Sequence, residues 1–129
     1  MHTQAMLSTH PTAADYGGLS IAINTSVDCA QACIACADAC LAEEMVVELR
    51  RCIHLNLDCA EVCDATARVA SRRAGDNAVV LRSLLQACEV ACRQCAEECE
   101  RHAPHHEHCR ICAEACRECE RACQQAFRA

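Results

Sequence analysis

The chain has 129 residues, with 16 cysteines, no lysine, 12 arginines, 18 acidic residues and a net charge of −6 at pH 7. This length suits one domain with its own core, and only three glycines and two prolines favour long helices over a loop-rich scaffold. The charges are interspersed without a basic face, so we expect no nucleic-acid partner. The unbroken apolar runs are only a few residues long, so we also expect no transmembrane helix and no membrane partner.

The first 24 residues are weakly patterned, with turn signals at His10–Pro11 and Gly17–Gly18. They show neither the basic start nor the apolar stretch of a secretory signal, which predicts a cytoplasmic protein. A reducing cytoplasm keeps thiols reduced, so the cysteines indicate metal binding rather than a disulfide framework. We therefore predict a short N-terminal arm over residues 1–24 and a metal-binding domain over residues 25–129.

Two helices are predicted in the first half of that domain. The first takes Thr25 or Ser26 as its N-cap and ends near Glu43. The second runs from about Glu44 to Arg73, although no glycine or proline marks its start.

Two further helices follow the turn at Gly75. The third takes Asn77 as its cap and runs to about His102. Proline at position 104 then opens the fourth, which continues to about Arg128. Four helices with short connections predict an all-α fold, an antiparallel up-down-up-down four-helix bundle with a short N-terminal arm.

The cysteines recur at steps of three, four or seven residues within each predicted helix, a spacing that returns to one helix face. In an antiparallel bundle the four cysteine stripes occupy overlapping heights, so we expect them to line a common interior. Asn56 interrupts the stripe of the second helix, either as a buried polar spacer or because that stripe is less dedicated to metal. The candidate metal ligands are Cys29, Cys33, Cys36, Cys40, Cys52, Cys59, Cys63, Cys88, Cys92, Cys95, Cys99, Cys109, Cys112, Cys116, Cys119 and Cys123.

The metal that best suits many thiols and few other ligands is Cu(I). Sixteen buried thiolates would place sixteen negative charges in an apolar bundle, and neutrality then needs on the order of one Cu(I) per cysteine. Inert core cysteines and a ladder of disulfides are the open alternatives, although cysteine pairs on one helix have poor disulfide geometry. The spacing matches no iron–sulfur run, singles out no isolated four-thiol zinc site, and includes no Glu-x-x-His pair for a di-iron centre.

The stripes continue as apolar residues toward one end of the bundle. Leu81 and Leu85 extend the third helix, Thr66 and Ala70 the second, and Phe127 the fourth. We expect this end to be an apolar plug that stabilises the fold without metal.

Histidine and methionine cluster at the other end, where the predicted helices 1–2 and 3–4 are joined. Met45, His102 and His105 each continue a cysteine stripe toward these joints, and His106 and His108 flank that face. These side chains predict a weaker, exchangeable site for copper uptake at this open end of the bundle. The alternative is that they are solvated histidines at helix ends.

The C-x₃-C-x₂-C-x₃-C run at Cys29–Cys40, its repeat at Cys88–Cys99 and the longer run Cys109–Cys123 resemble the bacterial copper storage proteins. The resemblance covers about residues 25–128 and, with no leader visible, is to the cytosolic branch. It implies a four-helix bundle filled with Cu(I) along its axis and assembled as a homotetramer. It also implies a mouth with histidine and methionine ligands, which map onto Met45, His102, His105 and His108.

These patterns predict a cytoplasmic protein that is not an enzyme and that stores and sequesters many Cu(I) ions. It would receive copper as Cu(I) and release it to a copper chaperone or a recipient cuproenzyme. A general thiolate buffer for zinc, cadmium and copper is the alternative function. A thiol redox enzyme is a third class, and it would need one or two cysteines of low pKa.

Overall fold

The computed structural model describes the backbone of residues 2–11 and 16–128, and the side chains of residues 2–11 and 18–126. No strand occurs within these ranges. The elements are α1 (His2–Ser8), α2 (Tyr16–Leu41), a 3₁₀ helix (Val46–Leu49), α3 (Arg50–Ala70), α4 (Ala78–His102) and α5 (Glu107–Arg128).

Four long helices form the bundle. Helix α2 packs against α3 and α5, and α4 packs against the same two helices, so consecutive helices are neighbours around the bundle. Short connections make these neighbours antiparallel, because the chain must reverse direction between them. The predicted all-α up-down-up-down four-helix bundle is confirmed, and α1 packs on α2 at its N-terminal side.

The first bundle helix begins much earlier than predicted, so the N-cap expected at Thr25 or Ser26 is wrong. The Thr25 hydroxyl donates to the carbonyl four residues earlier at 2.9 Å, a bond that hydroxyl residues make inside helices. Ser26 is fully buried in the bundle, and Leu19 and Ile23 continue the buried face of α2 toward its start. Most of the segment expected to be an arm is therefore helical, as α1 and the first turns of α2; residues 12–15 lie outside the described backbone.

The second bundle helix starts later than predicted. After α2 ends, the chain forms a turn and a 3₁₀ helix before α3 begins at Arg50. Because no glycine or proline marks the connection, the sequence predicted a break near Glu44 but not the length of this segment. As a consequence, Met45 does not lie on α3, and its helical spacing to Cys52 does not exist.

The other two joints differ in detail from the prediction. Asn77 occupies the N-cap position of α4, but its side-chain amide donates to the Val69 and Arg72 carbonyls at 3.2 and 2.8 Å, closing the end of α3 instead. Proline at position 104 does not open α5, which begins at residue 107. Between them, the His105 and His106 amides donate to the His102 carbonyl at 3.0 Å, and this turn redirects the chain.

Cysteine is the most frequent residue of the core. All sixteen cysteines are buried and free. Among the described side chains, the buried large aliphatic residues are Leu7, Leu19, Ile23, Leu49, Leu81 and Leu85. Leu81, Leu85, Thr66 and Ala70 are buried at the end where an apolar plug was predicted, and the side chain of Phe127 lies outside the described ones.

Length and composition alone would allow one described helix to cross a membrane. The segment Gly18–Leu41 has a hydropathy of 1.3, because alanine and cysteine count as apolar even where no long run of large residues exists. Half of this segment is buried inside the protein, and the core helix of a bundle can be equally long and apolar. The buried half carries the four cysteines of α2.

Candidate metal centre

The sixteen cysteine side chains form a continuous thiol column inside the bundle. Cys33 shows the pattern: its Sγ lies 3.7 Å from that of Cys116, 3.8 Å from that of Cys112 and 4.0 Å from that of Cys95. Cys29 adds the link from α2 to α3, since its Sγ lies 4.0 Å from that of Cys59. Because such contacts join all four helices, a metal ion inside the column can be bound by thiolates from different helices.

The column contains groups of sulfur atoms that all lie within 4.8 Å of one another. Three of these groups are Cys29, Cys33, Cys59 and Cys116; Cys29, Cys63, Cys92 and Cys119; and Cys33, Cys95, Cys112 and Cys116. The groups share members, whereas a structural zinc site is closed on four ligands of its own. Shared thiols suit an array of soft monovalent ions joined by bridging sulfur, which favours Cu(I).

Asn56 belongs to this column rather than interrupting it. Its side chain is fully buried, and its Oδ1 accepts hydrogen bonds from the thiols of Cys95 at 3.0 Å, Cys112 at 3.1 Å and Cys99 at 3.7 Å. Its Nδ2 donates to the sulfur of Cys52 at 3.7 Å. The residue is therefore the buried polar spacer of the two interpretations, with its amide satisfied by thiols.

At the open end, the column finishes in a histidine. The Nδ1 atom of His108 lies 3.4 Å from the Sγ of Cys36 and 3.6 Å from that of Cys109. Together with Cys40 these residues form one of the groups that could hold a metal ion. An imidazole nitrogen beside several thiols is a ligand set that Cu(I) accepts.

The thiols of the column affect one another's protonation. Burial raises the pKa of Cys40 to about 11, with a further contribution from the charge of Cys52. The hydrogen bond with Cys112 is the largest cause of the raised pKa of Cys33, and the hydrogen bond with Cys116 is the largest cause of the lowered pKa of Cys59. One thiolate can thus be stabilised by neighbouring S–H donors, but a column of many thiolates needs cations.

The sequence pattern of the copper storage proteins matches residues 17–128, which is nearly the whole chain. The chain belongs to the copper storage protein family. Family membership and the grouped thiols agree: the protein binds many Cu(I) ions on the cysteines that line its bundle.

Solved structures support the same assignment. The copper storage protein Ccsp from Streptomyces lividans, loaded with 10 copper equivalents, is 50% identical, covers 98% of both chains and superposes with a TM-score of 0.93. The Cu(I)-bound copper storage protein BsCsp3 is 29% identical over 83% of this chain and 95% of its own, with a TM-score of 0.74. In sequence, the cysteine-rich protein YhjQ of Bacillus subtilis is 31% identical over 70% of this chain and 79% of its own length.

The predicted ligands other than cysteine differ in where the structure places them. His108 lies against the thiols of Cys36 and Cys109. His102 is partly buried, with its Nε2 2.9 Å from a carboxylate oxygen of Glu98. His105 is exposed in the turn before α5, and the side chain of Met45 is about half exposed at 52%, so neither residue continues a buried cysteine stripe.

Two residues beside the thiol column were missed by the sequence analysis. Ser26 places its Oγ 3.5 Å from the Sγ of Cys119. It lies three residues before Cys29, which is a helical spacing, so it would have been predicted to face the column if α2 had been predicted to start earlier. Glu43 contacts both His106 and His108. No sequence spacing signalled Glu43, because it meets these histidines across two separate turns.

Proposed function

We propose that the protein is a cytoplasmic store that holds on the order of one Cu(I) per cysteine in the thiol column. The observation that carries this proposal is the set of sulfur contacts of 3.6–4.0 Å that links the thiols of all four helices. Each bound Cu(I) replaces one thiol proton and leaves the buried site neutral. The Streptomyces lividans relative is described as a cytosolic copper storage protein, which supports the same location here.

We propose storage without catalysis. A catalytic or redox-active cysteine lies in a partly exposed, electropositive setting. Every cysteine of this chain is buried, and each shares its surroundings with other thiols. Release of Cu(I) to a copper chaperone or a recipient cuproenzyme would occur at the open end, where His108 connects the column to the surface.

An anaerobic titration of the reduced protein with Cu(I), against a chromogenic chelator, tests the proposal. The expected result is a plateau in the teens of ions per chain, on the order of one per cysteine. The same titration with Zn(II) should saturate at far fewer ions, because a divalent ion balances two thiolates and prefers four ligands. Protein with alkylated thiols serves as the control for adventitious copper.

A Cu(I) plateau of two or three ions would contradict storage. Saturation by Zn(II) at the same number of ions, with displacement of bound Cu(I), would favour the alternative function of a general soft-metal buffer.

We also propose that the chain assembles as a homotetramer through the outer face of α2. Val27, Ile34 and Leu41 follow one another at seven-residue steps on this face and are exposed by 53, 43 and 60%. A heptad stripe of aliphatic side chains is what one helix offers to another in a bundle or coiled coil. Native mass spectrometry should therefore show about four times the chain mass of 14.0 kDa.

The matched pair of variants for this test is Ile34→Glu and Val79→Glu. A carboxylate in the α2 stripe should shift the assembly to monomers, because burying an unpaired charge between helices is costly. Val79 is exposed by 77% near the start of α4, outside the stripe, so its substitution should leave the tetramer intact. A monomeric wild-type protein, or an Ile34→Glu variant that stays tetrameric, would contradict this interface.

A further inference from the structure

A single carboxylate joins two turns at the open end of the bundle. Glu43 lies in the turn that follows α2, and its Oε2 is 2.9 Å from the Nε2 of His108 and 3.1 Å from the Nδ1 of His106. The two rings stand side by side, with their centroids 5.4 Å apart. All three side chains are partly withdrawn from water, with exposures of 35% for Glu43, 25% for His108 and 15% for His106. This contact is therefore partly shielded from solvent.

The carboxylate decides which nitrogen of His108 carries the proton. A glutamate carboxyl has an ordinary pKa of about 4.3, so the Glu43 side chain, whose Oε2 lies 2.9 Å from the Nε2 of His108, is ionised at neutral pH. An ionised carboxylate can only accept hydrogen bonds, so the Nε2 of His108 must donate. In a neutral imidazole the other nitrogen then has a free lone pair. That nitrogen is Nδ1, which faces the sulfur atoms of Cys36 and Cys109 at 3.4 and 3.6 Å.

We propose that Glu43 is a positioning residue for copper uptake, which holds His108 in the tautomer and ring orientation that present Nδ1 beside Cys36 and Cys109. The arrangement is that of metal-binding histidines whose second nitrogen is fixed by a carboxylate. This inference rests on the proposed function, since it assigns a role in loading the column. It identifies Glu43 as acting through His108 rather than as a copper ligand.

Removing the carboxylate frees the ring in two ways. The imidazole can turn about its χ2 bond, and it can move its proton to Nδ1, where an N–H would face the thiols instead of a lone pair. Either change removes the nitrogen ligand from the site. Losing such a carboxylate partner typically weakens metal binding or activity by about 10- to 100-fold.

The test compares Glu43→Ala and Glu43→Gln with the control Glu44→Gln, which removes a neighbouring exposed carboxylate. Nitrogen-15 shifts of the His108 ring in the metal-free protein report the tautomer, and stopped-flow mixing with one equivalent of chelated Cu(I) reports loading. Wild type and Glu44→Gln should show protonated Nε2 and fast loading. Glu43→Ala should show mixed tautomers and loading about 10-fold slower. Glu43→Gln should lie between them, because its amide oxygen still accepts a hydrogen bond.

A double-variant comparison shows whether Glu43 acts through His108. Because two residues of one unit are not additive, Glu43→Ala should slow loading little further in a His108→Ala background. Unchanged tautomer and loading in Glu43→Ala, or a full additional slowing in the His108→Ala background, would overturn the inference. Should the alanine variant fold poorly, Glu43→Gln with wild-type tautomer and loading would overturn it equally. A wild-type plateau of two or three Cu(I) would instead remove the storage function itself.

Discussion

Loading with Cu(I) should raise the melting temperature of the protein by more than roughly 20 °C. An ion that binds only the folded state raises the free energy of unfolding by about 4 kcal/mol per site when its free concentration is a thousand times the dissociation constant. For a domain of this size, each kcal/mol raises the melting temperature by about 2–8 °C. A few occupied sites therefore suffice, and the column offers many more.

Without metal, the bundle is stabilised by only a small apolar core. The described core contains only six buried large aliphatic side chains, and all of its other buried apolar residues are alanine or cysteine. These small side chains bury little apolar area each, so their contribution to the free energy of folding is modest. Copper bound between helices cross-links them at successive heights along the bundle. The apolar plug holds the helices together only at one end.

Anaerobic melting followed by far-ultraviolet circular dichroism, at increasing ratios of Cu(I) to protein, measures this effect. The melting temperature should climb steadily with loading and return to the metal-free value when a strong chelator strips the copper. Equal melting temperatures for the metal-free and loaded protein would mean that the ions sit outside the core.

The fold could be predicted because the cysteine spacing repeats on four segments and only one side of each helix can face the interior. The boundaries were harder to predict. Ser26 looks like an N-cap in sequence, yet the buried Leu19 and Ile23 extend the core past it, so packing decided the start of α2. Between α2 and α3, no glycine or proline marks the turn, which is why the second helix was predicted to begin near Glu44 and to include Met45.

The candidate site was likewise predictable only in part. The thiol column follows from helical periodicity, which is a local property of the sequence. The partners of His108 do not, because Glu43 comes from another turn 65 residues away in the chain. Met45 and His105 fit a periodic stripe in the sequence, but both lie in turns between helices and are exposed. Asn56 was visible as an exception, but only its thiol contacts showed that it belongs to the column.

Copper loading at pH 7 should release about one proton per Cu(I) bound. Burial raises the pKa of Cys40 to about 11, so this thiol is protonated at neutral pH and must lose its proton to bind copper. Because one proton competes with each ion, the apparent affinity should fall about tenfold for every pH unit of acidification. A pH-stat titration gives the proton count, and competition with a chelator of known pH dependence at pH 6, 7 and 8 gives the slope. Loading without proton release would mean that the column already holds thiolates.

The stability of the metal-free protein should fall at alkaline pH. A thiol whose pKa rises on folding holds its proton in the folded chain while the unfolded chain loses it, so alkali favours unfolding. For Cys40 the stabilisation is fully present below its ordinary pKa of 9.0 and is lost as the pH rises through about 11. Urea denaturation of the metal-free protein between pH 8 and 11 should therefore show a falling midpoint. The loaded protein is the control: its thiols have already exchanged protons for copper, so its midpoint should stay nearly constant over that window.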